Sequence, residues 1–331
     1  AGHDVRVLDA LLPTVHGPEP PALPNGVEFV RGDLRSESTV AAALRGVDLV
    51  CHQAAMVGRG KEILDAPLFA GCNDVGTAVL LAQMTLANVS RLVLGSSVVL
   101  YGESRYSCER DGRVAPGPRS TVDLDAGVFE PRCPQCGGTA RAEPVDETDQ
   151  PDPRNVYALT KLAQEHLAQV WARETSGTAV ALRYHNVYGA RMPVNSAYSG
   201  VAATFRSAVE AGVAPELFED GCSRRDFIDV RDVARANAAA LDRREPGFRA
   251  YNVASGVPHT VGDLAAALVA VTGGPPPVVT GRYRLGDVRH IVASPARIMR
   301  ELGWAPAIGF TEGVAQFATA PLRAVPQPLL S

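Results

Sequence analysis

NVYALTKLAQEHLAQVWARETSGTAVALRYHNVYG, residues 155–189, couples a helix to a strand. Residues 155–175 or so read as a helix closed by Gly177, and AVALRYHNVYG, 179–189, as a strand with the loop at its C-terminal end. The same rhythm runs upstream. VRVLD, 5–9, is an apolar strand ending in Asp9. The Pro-rich ALLPTVHGPEPPALPNG after it has no helical period and reads as a loop. VEFV, 27–30, leads into Arg31-Gly32-Asp33, and Ser36 caps a helix to about residue 45. DLVCHQAA, 48–55, is a strand. A helix over about 74–87 carries Leu80, Leu81 and Met84 on one side. RLVLGSS, 91–97, is a strand, apolar until it reaches two serines. Strand, helix, strand, helix in this order implies an α/β fold, a parallel sheet wrapped by helices.

Residues 103–150 break the rhythm. They are rich in Arg, Gly, Pro and acids, have neither period, and read as an insertion. Beyond about 190 the character changes again. GVAATFRSAVEAG reads as a helix, ELFEDG and RRDFIDV as strand and turn, 230–242 as a helix and AYNVA, 250–254, as a strand. Thr260 and Asp263 form a capping box for TVGDLAAALVAV. Ser294 with Pro295 opens the last clear helix, since Pro suits the first helical position. The expected division is 1–189 for the sheet domain and 190–331 for a smaller mixed α/β lobe, with elements near 229–254 returning to the main sheet.

The 331 residues are 46% apolar and 21% charged, values of a water-soluble globular chain. A net charge of -4 argues against nucleic-acid binding, which brings a basic excess. No apolar stretch approaches the roughly 20 residues that span a bilayer, and residues 1–12 show no signal peptide. Six cysteines are too few for a disulfide scaffold, so a cytoplasmic protein is expected.

The chemistry concentrates at strand ends and on one helix. Tyr157 and Lys161, four apart, share a helical face. A cationic Lys favours the phenolate, which would let Tyr157 act as a base near neutral pH. The chain has only two lysines, Lys61 and Lys161, among 32 basic residues, so generic surface charge is a poor account of Lys161. In open α/β sheets ligands bind beyond the carboxyl ends of the strands, and here those ends carry Asp9, Asp33, Ala54-Ala55, Ser96-Ser97 and Asn186. An acid at Asp9 could accept ribose hydroxyls. Small residues at 54–55 would admit a flat cofactor. CPQCGG, with Cys133 and Cys136, is a knuckle of the kind that grips zinc. Cys108 is a candidate third ligand and Asp111 the nearest candidate fourth. Cys51, Cys72, Cys222, His52, His185 and His290 are expected to be packing residues.

VRVLD, GDLRS, HQAA, Asn73 in NDVGT, SSVVLYG, YALTK, RYHNVYG, RRDFIDV, YNVASG and RLGDVRH occur in one order over residues 5–291. Together they resemble the extended short-chain dehydrogenase/reductase family, and within it the NAD-dependent nucleotide-sugar epimerases and dehydratases. The resemblance implies a Rossmann-like, doubly wound sheet, bound NAD, a nucleotide-diphosphate sugar as substrate and a homodimer packed through the Tyr157 helix and the one before it. It implies that Tyr157 is the acid/base, that Lys161 holds the nicotinamide ribose, and that Ser97 bonds the reacting hydroxyl. Asp9 would take the adenosine ribose, Asp33 and Leu34 would flank the adenine, and Ala54, Ala55 and Asn73 would line the groove with Tyr184 beside the nicotinamide. Asn186, Arg225 and Arg284 would meet the nucleotide sugar, the arginines at its diphosphate.

Dehydratases of the family resemble one another in an Asp-Glu pair just after the serine. Here Val98 and Val99 stand there, and neither moves a proton. The expectation is therefore 4-epimerisation through a transient 4-keto sugar. A 4-reductase or dehydratase and a non-catalytic nucleotide-sugar-binding protein are the alternatives. The family's first strand and Gly-rich turn, which carry the pyrophosphate, have no counterpart here. The expectation is either about 25 residues lost from the sequence, by the ~20-residue spacing from fingerprint to acid, or a naturally short chain. The Cys-containing insertion looks like one in some bacterial deoxysugar epimerases, dTDP-L-rhamnose 4-epimerases included, and the chain also resembles the UDP-glucose 4-epimerase type.

Overall fold

A computed structural model of the protein describes residues 2–12, 16, 23–58, 63–194 and 200–323. Much of the Pro-rich loop after Asp9 lies outside these residues. Strands β1 (Arg6–Asp9) and β2 (Glu28–Arg31) pair in parallel, with Leu8 opposite Val30. Helix α1 (Glu37–Ala43) starts at Ser36, whose hydroxyl accepts from the Thr39 amide. Strand β3 (Val50–His52) is shorter than its apolar run, so Gln53, Ala54 and Ala55 leave the ladder. Two short turns of helix, α2 (Ala66–Phe69) and a π-helical segment over Ala70–Val75, run into α3 (Gly76–Leu86). Asn73 lies on the π segment, the wide-turn geometry that often marks functional positions.

Strand β4 (Arg91–Ser97) is buried along nearly its whole length. The expected insertion follows, and it is not without structure. Strands β5 (Tyr106–Cys108), β6 (Gly112–Val114) and β7 (Arg141–Ala142) form a small antiparallel sheet, with α4 (Thr121–Asp125) between the last two. Strands of two and three residues are too short for period-2 alternation to register in sequence.

Helix α5 (Val156–Thr175) and strand β8 (Thr178–Tyr184) come next. The left-handed residue that ends α5 is Ser176, at φ 55°, and not Gly177. Gly177 is bare because an added Cβ would meet the Trp171 ring at 2.8 Å. Then follow β9 (Asn186–Tyr188), α6 (Val201–Glu210), β10 (Glu216–Leu217), β11 (Arg224–Asp229), α7 (Val230–Leu241) and β12 (Gly247–Val253). The chain continues through β13 (Pro258–Thr260), α8 (Val261–Thr272), β14 (Val278–Val279), α9 (Ala296–Leu302) and α10 (Phe310–Thr319). The Thr260–Asp263 capping box is present. Pro295 is the N-cap of α9 rather than its first helical residue, and α10 is a further helix beyond the one taken as last.

The main sheet has the order β12-β8-β4-β3, all parallel. Alternation splits β4 and β8 between two cores. Leu92, Leu94 and Ala179 face α1, α3 and α5, where Leu80, Met84 and Trp171 meet them. Val93, Val180 and Leu182 face α7 and α9, where Val233, Ala236, Ile298 and Trp304 close the other side. Leu8 and Leu34 pack on the first of these cores, which ties the β1–β2 ladder to it although no hydrogen bond joins β1 to β3 among the described residues. β12 thus returns to the main sheet from beyond residue 190. A third core, with Phe205, Phe227, Leu264 and Phe317, belongs to the C-terminal elements.

Candidate active site

Register fixes the centre. Ser97, the last residue of β4, lies opposite Tyr184, the last residue of β8. Gly95 makes this possible, because a Cβ there would come within 3.1 Å of the Tyr184 ring. Helix α5 delivers Tyr157 and Lys161 to the same strand end. Its N-cap Asn155 accepts from the Ala158 amide at 2.9 Å and sets where the first turn begins. Lys161, buried, donates from Nζ to Gly95 O at 2.8 Å. The Ser97 hydroxyl stands near enough to the Tyr157 phenol to favour its charged form, and the Tyr157 ring meets Phe69 edge-on at 6.3 Å. Ser97, Tyr157, Lys161 and Tyr184 are therefore brought together.

The electrostatics correct one expectation. Burial pushes the Tyr157 phenol up to about 12, and Ser97 is what works against that. Lys161 is not among the groups that lower it: its ammonium is directed to the Gly95 carbonyl. Burial brings Lys161 itself down to about 8, opposed by the Glu165 carboxylate. Glu165, one turn further along α5, accepts two bonds from Arg183 at 3.0 and 2.7 Å and one from Ser96 at 2.5 Å. Arg183 also donates to Tyr101 Oη at 2.6 Å, and Tyr101 to Asn252 at 2.8 Å. This buried chain runs beneath the site across β4, β8 and β12. The sequence reading missed it, although Glu165 at i+4 from Lys161 was a visible signal.

The other predicted residues distribute as follows. Asn73 holds both Met56 N (2.7 Å) and Met56 O (3.0 Å) and donates to Thr160 at 2.9 Å, fixing the Ala54-Ala55 turn against α5. Ala54 is exposed and Ala55 half-buried. Asp9 accepts from Leu11 N at 2.8 Å through Oδ1, and its second oxygen has no bond among the described residues. Asp33 is clasped by Arg35, whose guanidinium holds its carboxyl below the usual range, while Leu34 packs into the first core. The Tyr184 hydroxyl meets Asn237 Oδ1 at 2.8 Å and Gln53 Oε1 at 3.0 Å. Asn186 pairs with Phe227 between β9 and β11. Arg225 is no solvated surface residue: it donates to the carbonyls of Arg224, Val288 and Arg289, each at 2.8 Å. Arg284 is exposed and stacks over Phe218 at 4.6 Å.

His52 packs as expected, bonded to Thr77 at 2.9 Å and driven down to about 3 by burial. His185 is buried with neither ring nitrogen bonded among the described residues. The packing role does not hold for Cys51 and Cys222, which are exposed, and Cys72 is half-buried. Cys108, Asp111, Cys133 and Cys136 converge, their ligand atoms all within 4.8 Å of one another.

The groups at the strand ends suit a dinucleotide. Asp9 has a carboxylate oxygen with no bond among the described residues, residues 54–55 are small, and Lys161 brings an ammonium to the end of β4. No Gly-rich turn accompanies them among the described residues.

The model of the NAD dependent epimerase/dehydratase family matches residues 1–121 and 133–254, passing over part of the insertion. A dTDP-L-rhamnose 4-epimerase from Burkholderia thailandensis is 33% identical over 321 residues, 95% of this chain and 86% of that protein. A UDP-glucose 4-epimerase from Mycolicibacterium smegmatis is 28% identical, over 87% of this chain and 81% of its own. Among solved structures, the UDP-glucose 4-epimerase of Thermus thermophilus in complex with NAD superposes with a TM-score of 0.74. It is 30% identical over 95% of this chain and 89% of that one.

Proposed function

The chain belongs to the NAD dependent epimerase/dehydratase family, and from that premise we propose that it inverts C4 of a nucleotide-diphosphate sugar by way of a transient 4-keto sugar. NAD held by these strand-end residues would supply the hydride acceptor and donor for C4 and a positive charge that favours the phenolate. Tyr157 takes the C4 hydroxyl proton and gives it back. Ser97 aligns that hydroxyl, and Lys161 meets the nicotinamide ribose. Asp9, Asp33, Leu34, Ala54, Ala55, Asn73 and Tyr184 border the dinucleotide. Asn186 and Arg284 meet the nucleotide sugar. Arg225 approaches the diphosphate with whatever donors its three carbonyl bonds leave, so Arg284 is the stronger of the two. We assign the enzyme to the cytoplasm, in line with its unpaired cysteines. It works as a homodimer through α3 and α5, where Leu86, Leu159 and Val170 are exposed, as is Val75 at the N-cap of α3.

The observation that carries the choice of epimerisation is the pair Val98–Val99 directly after Ser97. Val98 is buried and Val99 packs in the same apolar cluster, so no carboxyl stands there to drive an elimination. The 33% relative supports a dTDP-sugar as the first substrate to try. A panel of UDP-, dTDP- and GDP-sugars, followed by NMR for inversion at C4, tests the proposal. A 4-keto-6-deoxy product, or net use of NAD(P)H, would overturn it in favour of a dehydratase or reductase. No turnover by a sample shown to hold NAD would leave a binding protein.

A further inference from the structure

We propose that Cys108, Asp111, Cys133 and Cys136 hold one structural zinc ion, and that this ion keeps the insertion docked against the segment carrying Arg284. The ligands come from two devices. Cys108 ends β5, and Asp111 follows in the turn to β6. Cys133 and Cys136 lie on a knuckle closed by the Arg132–Thr139 bridge. There Gly137 N donates to Cys133 O at 2.9 Å, Cys133 N to Gly138 O at 2.6 Å, and Gln135 N to Cys133 Sγ at 3.4 Å. Gly137, at φ 72°, supplies the left-handed step the knuckle needs.

The distances fit a tetrahedron. Cys108 and Cys136 sulfurs are 3.5 Å apart. Asp111 Oδ2 lies 3.4 Å from Cys108 Sγ and 3.2 Å from Cys133 Sγ. Zinc with ligands at about 2.3 Å sets edges of about 3.8 Å. The sulfurs are much too far apart for the ~2.05 Å of a disulfide. Three soft thiolates and one carboxylate select zinc over calcium or magnesium. Four protein ligands leave no position for substrate, so the ion is structural. The insertion needs such a staple. Its own apolar cluster is Tyr106, Val114 and Ala140 with Cys108 and Cys133 themselves, and so small a core does not hold a fold alone.

What the staple holds is visible in the ion pairs. Glu130, three residues before Cys133, accepts from Arg289 at 3.0 and 2.8 Å and lies 2.9 Å from His290 Nε2. Arg289 is 1% exposed and shares its charge between Glu130 of the insertion and Glu219 and Asp220 outside it. Arg119, also in the insertion, donates to Asp287 O at 2.8 Å and pairs with Glu219 at 2.8 Å. The segment 287–290, just beyond Arg284, is thus clamped by the insertion from both sides.

The test is metal content of the full chain purified without chelator, with Co²⁺ substitution as a second measurement. We expect about one zinc per chain, visible thiolate–Co²⁺ absorption on exchange, and loss of both in Cys133→Ser. Asp111→Ala should weaken zinc about tenfold or more, whereas Asp111→Cys, which restores a fourth donor, should retain it. A chain that neither contains zinc nor takes up Zn²⁺ or Co²⁺ overturns the proposal, as does full zinc in Cys133→Ser. The docking part rests on the epimerase reading. Stripping the ion should raise KM for the nucleotide sugar severalfold without changing NAD content, and an unchanged KM would overturn it. Zinc-loaded protein with no activity on any sugar would count against the epimerase reading alone.

Discussion

On the epimerase reading Tyr157 would do proton chemistry from a site that disfavours its charged form. Its phenol stands at about 12 with Ser97 as its helper, and Lys161, at about 8, remains mostly an ammonium at neutral pH. Removing the hydroxyl leaves the ring, its Phe69 contact and the helix intact. Tyr157→Phe should therefore lower kcat by about 10²- to 10⁴-fold, the usual worth of a positioned acid/base, with KM near the wild-type value. Steady-state kinetics on the substrate found in the panel decides it, and wild-type turnover would remove Tyr157 from the reaction. His52 makes a different, purely energetic prediction. Its folded value of about 3 lies below the 6.5 of the free side chain. Between those values the unfolded chain binds the extra proton, so stability is lost as pH falls through this window. Asp226, raised by burial from 3.8 to about 6, acts in the opposite sense over part of the same range. The difference between wild type and His52→Gln isolates the histidine. We expect the variant to lose less stability by a few kcal/mol between about pH 7 and 4, read from denaturant midpoints at each pH. Parallel curves would contradict it.

At the scale of elements, α5 is where chemistry and packing coincide. One face carries Tyr157 and Lys161, and the next turn carries Glu165 into a buried pair with Arg183 at 2.7 Å. Both partners are under 10% exposed, so breaking the pair strands a charge. Glu165→Leu should cost about 3–5 kcal/mol in urea unfolding. A loss under about 1 kcal/mol would mean that Arg183 finds other acceptors. The same helix explains what could be read in advance. Ser36, Thr260 and Asp263 announced their helix starts because caps are local. RLVLGSS and AVALRYH announced buried parallel strands because both faces are covered. The Tyr157–Lys161 spacing and the strand-end serine were legible for the same reason: each depends on neighbours in sequence. The insertion was opaque because its strands are too short to alternate. The Glu130–Arg289 and Arg225–Val288 contacts join segments 159 and 63 residues apart, and nothing local marks either member. The Lys161–Gly95 bond was not legible, because a shared helical face does not say which carbonyl on the facing strand will accept the ammonium's hydrogen bond.

For the whole molecule, the surface left by this packing makes its own demand. α3 and α5 lie side by side on the sheet and bury their inner stripes in the first core. Their outer stripes, with the N-cap Val75 at 51%, keep Leu86 at 75%, Leu159 at 56% and Val170 at 40% exposure. Residues eleven apart return to the same side of a helix, so each pair forms one apolar edge. Two such helices in one copy, met by two in another, would give a four-helix interface that removes the exposed apolar side chains from water. Neither side chain proposed for the chemistry lies on these stripes: Tyr157 and Lys161 face β4, on the inner side of α5. Charges placed on the stripes should therefore separate assembly from chemistry. Leu86→Glu with Leu159→Glu should convert a dimer to a monomer, measured by light scattering on a sizing column, while metal content stays at the wild-type value. A wild type that is already monomeric at micromolar concentration, or a double variant that keeps the dimer mass, would show that these helices are not the surface through which copies of the chain meet.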